Sequence, residues 1–122
     1  MEIERYYKIL TESLKLLSLD FDEQKDFFPE FVDVPFEILD SFQNAFILLP
    51  QILEAKRINC DVMPDLLRLN NLINSALAHP DFDTLEALEM CTSENWEKIR
   101  EISKLCLIHL KEPLTKPNSK YL

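Results

Sequence analysis

The stretch IERYYKILTESLKLLS, residues 3–18, decides the fold class. Its apolar positions Ile3, Tyr6, Tyr7, Leu10, Leu14 and Leu17 recur at spacings of three and four. That spacing lines one side of a helix with 3.6 residues per turn, whereas a half-buried strand would alternate. Asp20 followed by Glu23 has the spacing of a capping box, with Asp in place of Ser, and opens a second short helix through Phe28. Pro29 and Pro35 bracket a connector, and Pro35 suits the first position of a third helix. From Phe36 the residues Leu39, Phe42, Phe46 and Leu49 keep the helical repeat. Pro50 lacks an amide hydrogen and crowds the preceding turn, so a kink or break is expected there, with residues 51–58 continuing as a shorter helix. Asp61 is placed to cap the next helix, whose stripe is Leu66, Leu69, Ile73 and Leu77 and which stops at His79-Pro80-Asp81. A short helical turn is expected over residues 84–90. Ser93 then caps a last long helix with Trp96, Ile99, Ser103, Cys106 and Leu110 on one face, widened by Ile102 and Leu105. The pattern predicts an all-α, compact single-domain bundle of six or seven helices over residues 1–112. A polar tail over residues 113–122, expected to be flexible, carries Pro113 and Pro117.

Composition narrows the chemistry. The chain has 122 residues and no glycine, where average usage would supply about eight or nine. Phosphate-binding loops, dinucleotide fingerprints and nucleophile elbows all rely on glycine for positive φ or close backbone approach, so none can form in its usual version. The same lack weighs against two-residue hairpin turns and an all-β fold. No apolar run approaches the roughly 18 to 20 residues of a bilayer crossing. The acidic, amphipathic start at Glu2 and Glu4 does not resemble a secretion signal, so a cytoplasmic location is expected. Cys60, Cys91 and Cys106 are odd in number and widely spaced, which predicts free thiols and neither a zinc site nor a disulfide framework.

Charge is unevenly placed. Of the net charge of −9, residues 1–54 contribute 12 acids against 4 bases, while residues 92–122 hold 4 acids against 6 bases. The densest acidic stretch is Asp20, Asp22, Glu23, Asp26, Glu30, Asp33, Glu37 and Asp40, opposed only by Lys25. Phosphate contacts need Lys and Arg, so such a surface disfavours nucleic acid and an anionic membrane alike. Phe21, Phe27, Phe28, Phe31 and Phe36 are interleaved with these acids. Carboxylates around partly exposed rings suit a basic protein surface: charge speeds encounter and rings supply anchoring area. An ordinary solvated acidic face over core phenylalanines is the other account of the same residues.

Other groupings carry less. The runs Asp20-Phe21-Asp22-Glu23 and Asp81-Phe82-Asp83 lack the glycine and ligand spacing of a calcium loop, and helix capping accounts for both; no metal and no cofactor are expected. Glu37 and Asp40 share a helix face with nothing to separate their pKa values for acid–base work. Cys91 lies near Glu89 and Glu94, the wrong sign for activating a thiol. Asn70, Asn71 and Asn74, with Arg68, form either a polar recognition strip or a solvent-facing side. Asn74-x₄-His79 resembles the R-x₄₋₆-H motif of helical HEPN-type ribonucleases, but Asn74 stands where that motif has arginine. His109 has no visible partner.

The run Phe31-Val32-Asp33-Val34-Pro35-Phe36-Glu37-Ile38-Leu39-Asp40 resembles small bacterial immunity proteins, especially those paired with contact-dependent growth-inhibition toxins. The likeness covers residues 6–54, with a weaker echo over residues 96–109. It implies a non-catalytic inhibitor of a delivered toxin domain, frequently a nuclease. The charge argument is compatible, since a nuclease holds phosphate in a basic cleft that an acidic surface can occupy. The residues expected to bind the toxin are Asp20, Asp22, Glu23, Asp26, Glu30, Asp33, Glu37 and Asp40, with Phe31 as an anchor. A helical regulator gripping a partner helix or peptide is the alternative, and a HEPN-like ribonuclease a second.

Overall fold

Leu10, Leu14 and Leu17 are fully buried, and so is Leu16, which lies outside the apolar stripe. The helix that carries them is therefore the hub of the molecule, not a surface helix. A computed structural model of the chain describes residues 2–29, 34–78 and 94–122. These form α1 (Glu2–Ser18), α2 (Phe21–Phe27), α3 (Val34–Phe46), α4 (Leu49–Glu54), α5 (Met63–Ala78) and α6 (Glu94–His109), with 3₁₀ turns at Cys60–Val62 and Ser119–Tyr121. Among the described residues there is no strand. The chain is a compact all-α domain. The expected stop at His79-Pro80-Asp81, the helical turn over residues 84–90, the cap at Ser93, and Cys91 lie outside the described residues.

Helix α1 packs against α3, α4, α6 and the C-terminal 3₁₀ turn, while α5 packs against α6 and α3. With neighbours on every side, residues 11–18 are buried without a gap, polar ones included. Local hydrogen bonds make this possible. Ser13 Oγ donates to the Leu10 carbonyl (2.7 Å) and Ser18 Oγ to the Lys15 carbonyl (2.8 Å). Each hydroxyl is satisfied within its own helix, three residues back. Glu12 and Lys15, 4% and 8% exposed, pair with each other at 3.1 Å. The second Glu12 oxygen accepts the Asn118 amide at 2.9 Å. The core around this hub includes Ile38, Leu39, Phe42, Ile52, Leu66, Leu69, Ile73 and Ile99. Burying each such side chain is worth about 1.5–3 kcal/mol.

Several boundaries differ from the sequence reading for definite reasons. The break after α3 falls at Ile47 and Leu48 instead of at Pro50, because Pro50 sits in the first turn of α4, where no helical amide is required. The residue capping the turn before α5 is Asn59, whose Oδ1 accepts the Asp61 amide at 3.1 Å; Asp61 is the residue capped. On α6 the buried face widens toward Arg100 and Leu107, not toward Leu105, which is 44% exposed. Arg100 turns inward because its Nε donates to the Leu19 carbonyl (3.2 Å), where α1 ends.

Two helices end in the left-handed conformation without glycine. Lys56 (φ 57°) follows α4, and Lys111 (φ 59°) follows α6. Beyond each, a Schellman turn closes: Arg57 N–H bonds the Ile52 carbonyl (3.1 Å) and Glu112 N–H the Leu107 carbonyl (2.9 Å). The final segment lies against α1, with Pro117 buried.

Candidate functional site

The acidic stretch is carried by a helix with its own anchoring. Gln24, the buried residue of α2, donates from Nε2 to the Leu16 (2.9 Å) and Leu17 (3.4 Å) carbonyls, closing the C-terminal end of α1. The bond from Arg100 to Leu19 holds the link between α1 and α2 against α6. Helix α2 makes only slight contact with the other described helices, and its charged residues face outward. Asp20, Asp22, Glu23 and Asp26 are exposed there, with Lys25 among them. The expected capping box is not formed: Asp20 occupies the cap position in extended conformation, but its side chain accepts no cap hydrogen bond. The Asp20 carbonyl instead accepts the Gln24 amide at 3.0 Å, leaving the carboxylate outside the helix ladder.

Glu37 and Asp40 are half-buried on α3, where Asp40 accepts a hydrogen bond from Asn44 (3.3 Å). The structure thus brings Asp20, Asp22, Glu23 and Asp26 together on one helix and sets Glu37 and Asp40 on another. Glu30, Phe31 and Asp33 lie outside the described residues. The neighbouring rings are half in and half out: Phe21, Phe27 and Phe28 pack partly buried against the core, with Phe27 and Phe28 edge-to-face at 5.2 Å, while Phe36 is 44% exposed. Among the described residues no ion pair engages Asp20, Asp22, Glu23, Asp26, Glu37 or Asp40. Lys104 and Lys116, which the sequence reading missed, line an open recess of about 520 Å³ with Asp20 and Glu23. Nothing in their spacing could have revealed that, since Lys116 reaches the recess on the C-terminal segment.

Two further clusters bear on chemistry. Arg57, delivered by the first Schellman turn, stacks 3.7 Å over the Tyr7 ring and pairs with Glu4. Glu112, delivered by the second, accepts the Tyr7 hydroxyl at 3.3 Å. Burial first, and then the Glu112 carboxylate, push the Tyr7 hydroxyl above its ordinary range, and Arg57 holds the Glu4 carboxyl below its own. Tyr7 therefore keeps its proton, and the cluster ties α1, α4 and the end of α6 together. In the second, Asp65 joins Arg68 (3.3 Å) and His109 (3.2 Å). Cys106 is fully buried and its thiol is pushed up to about 12, mainly by burial and then by Asp65, so it is a poor nucleophile.

Among the described residues no group of three His, Cys, Asp or Glu side chains could hold a metal ion. Asn74 is exposed and accepts from Gln43 (2.9 Å), and its motif partner His79 lies outside the described residues. No described helix is long and apolar enough to cross a membrane. Comparison with protein-family models, curated proteins and solved structures finds no match for the chain.

Proposed function

We propose that the protein is an immunity-type inhibitor that acts in the cytoplasm by binding a cognate toxin domain of basic surface, a nuclease in the first instance. The carrying observation is α2: four carboxylates, Asp20, Asp22, Glu23 and Asp26, stand exposed, with no ion-pair partner among the described residues, on a helix held by Gln24 and Arg100. A negative surface that is already positioned loses little freedom on binding and attracts a cationic partner over about a Debye length. Half-exposed Phe36 and the partly buried Phe21, Phe27 and Phe28 supply apolar area beside the charge. Glu30, Phe31, Asp33, Glu37 and Asp40 extend the same proposed surface.

The test begins with low-salt capture of the partner from the native cells, followed by stopped-flow association of the purified pair. Asp20→Asn, Asp22→Asn, Glu23→Gln and Asp26→Asn together should slow association by about tenfold or more and flatten its salt dependence. An unchanged association rate with the same partner would remove α2 from the interface.

A further inference from the structure

We propose that a second surface, far in charge from the first, binds a small, multiply charged phosphate-type anion in the recess between the start of α1 and the C-terminal 3₁₀ turn. The recess is about 480 Å³, within the size range of small-molecule sites, and is lined by Glu4, Arg5, Lys8, Lys120 and Tyr121. Arg5 and Lys8 are three residues apart and so lie on one side of α1. Lys120 comes from the other end of the sequence and is put there by a chain of contacts. Glu12 on α1 accepts the Asn118 amide (2.9 Å), and Asn118 Oδ1 in turn accepts the Lys120 amide (3.0 Å).

Among the described residues none of these three cations is in an ion pair. Glu4 is the one acid among the described lining residues; it pairs with Arg57 from outside and also feels Lys8, so the lining still carries an excess of positive charge. A protein with 22 acids and 13 bases thus gathers three cations beside one acid in one concavity, with the Lys120 ammonium 5.5 Å from the centre of the Tyr121 ring. The positive end of the α1 dipole adds to the same field. Two compact ammonium groups and one guanidinium fork suit an anion with several oxygens and more than one charge, which is the chemistry of a phosphate or diphosphate. The net charge of −9 disfavours a long polyanion, whereas a small anion feels mainly the groups within about 10 Å.

Inorganic pyrophosphate, titrated at low salt into the full chain and followed by amide NMR, tests the site. Saturable shifts at Arg5, Lys8, Lys120 and Tyr121 are expected, with a dissociation constant of about 1 mM or below. Lys8→Gln with Lys120→Gln should weaken binding by about tenfold or more, and Lys120→Arg should retain it. These residues are surface-facing, and an unchanged far-ultraviolet circular dichroism spectrum verifies the fold of each variant. Non-saturating shifts, or affinity untouched by the double substitution, would overturn the site. So would a short oligoribonucleotide that occupies the same residues more tightly than pyrophosphate, because the phosphate would then belong to a nucleic acid.

Discussion

Burial pushes the Cys106 thiol up to about 12, and the Asp65 carboxylate adds to the rise. In the unfolded chain the same thiol ionises near 9.0. Between those values the folded protein holds a proton that the unfolded chain has lost, so raising the pH favours unfolding. The contribution is fully present below about pH 9 and falls away above it, at up to about 1.4 kcal/mol per pH step. Tyr7, raised above 10.0 chiefly by burial, works in the same direction from about pH 10 upward. Urea unfolding across this alkaline range should show a falling midpoint. Cys106→Ala should make the fall shallower, leaving the Tyr7 part, while an equally steep fall would show that the thiol does not titrate as its surroundings require. That Cys60 and Cys106 are free was readable from the number and spacing of the cysteines, but the burial of Cys106 beside Asp65 depends on how α5 meets α6.

At the scale of elements, periodicity makes α1, α3, α5 and α6 legible almost to their ends, because apolar repeats record which side meets a core. It fails where the cause is not local. The burial of Glu12 and Lys15 could not be read, since the segment that covers them is joined through Asn118, far along the chain. The acids of α2 were legible as a charged run, while their recess partners Lys104 and Lys116 were not. Glycine's absence shows its cost at Lys56 and Lys111, which adopt left-handed φ that a side chain resists by about 1–2 kcal/mol. Part of that is offset because lysine loses less backbone freedom on folding than glycine does. Lys56→Gly and Lys111→Gly should therefore each stabilise the fold by up to about 1 kcal/mol, visible as a rise in thermal midpoint. A drop would mean that the lysine side chains make contacts outweighing the relief.

At the scale of the whole molecule, the Glu12–Lys15 pair and the Asn118 amide fasten the C-terminal segment to the central helix. Lone charges left behind in such a place are expensive. Glu12→Gln, which keeps an acceptor for Asn118 but strands Lys15, should destabilise by about 3 kcal/mol. Glu12→Gln combined with Lys15→Met should recover much of that loss in chemical denaturation, because no unpaired charge remains. Additive losses would show the pair to be independent groups. The two proposed surfaces also differ in what they require of this fastening. The acids of α2 rest on Gln24 and Arg100, whereas the cationic recess exists only while the C-terminal segment is in place.

Trp96 is the only tryptophan of the chain and is 4% exposed, one turn before Arg100 on α6. Arg100 grips the carbonyl of Leu19 at the root of α2. The molecule thus carries a single indole, excitable apart from its three tyrosines and screened from water, one turn from the arginine that steadies its acidic helix. Emission from this one indole separates a partner that docks on α2 as it stands from one that pries the helix away, without any label being attached.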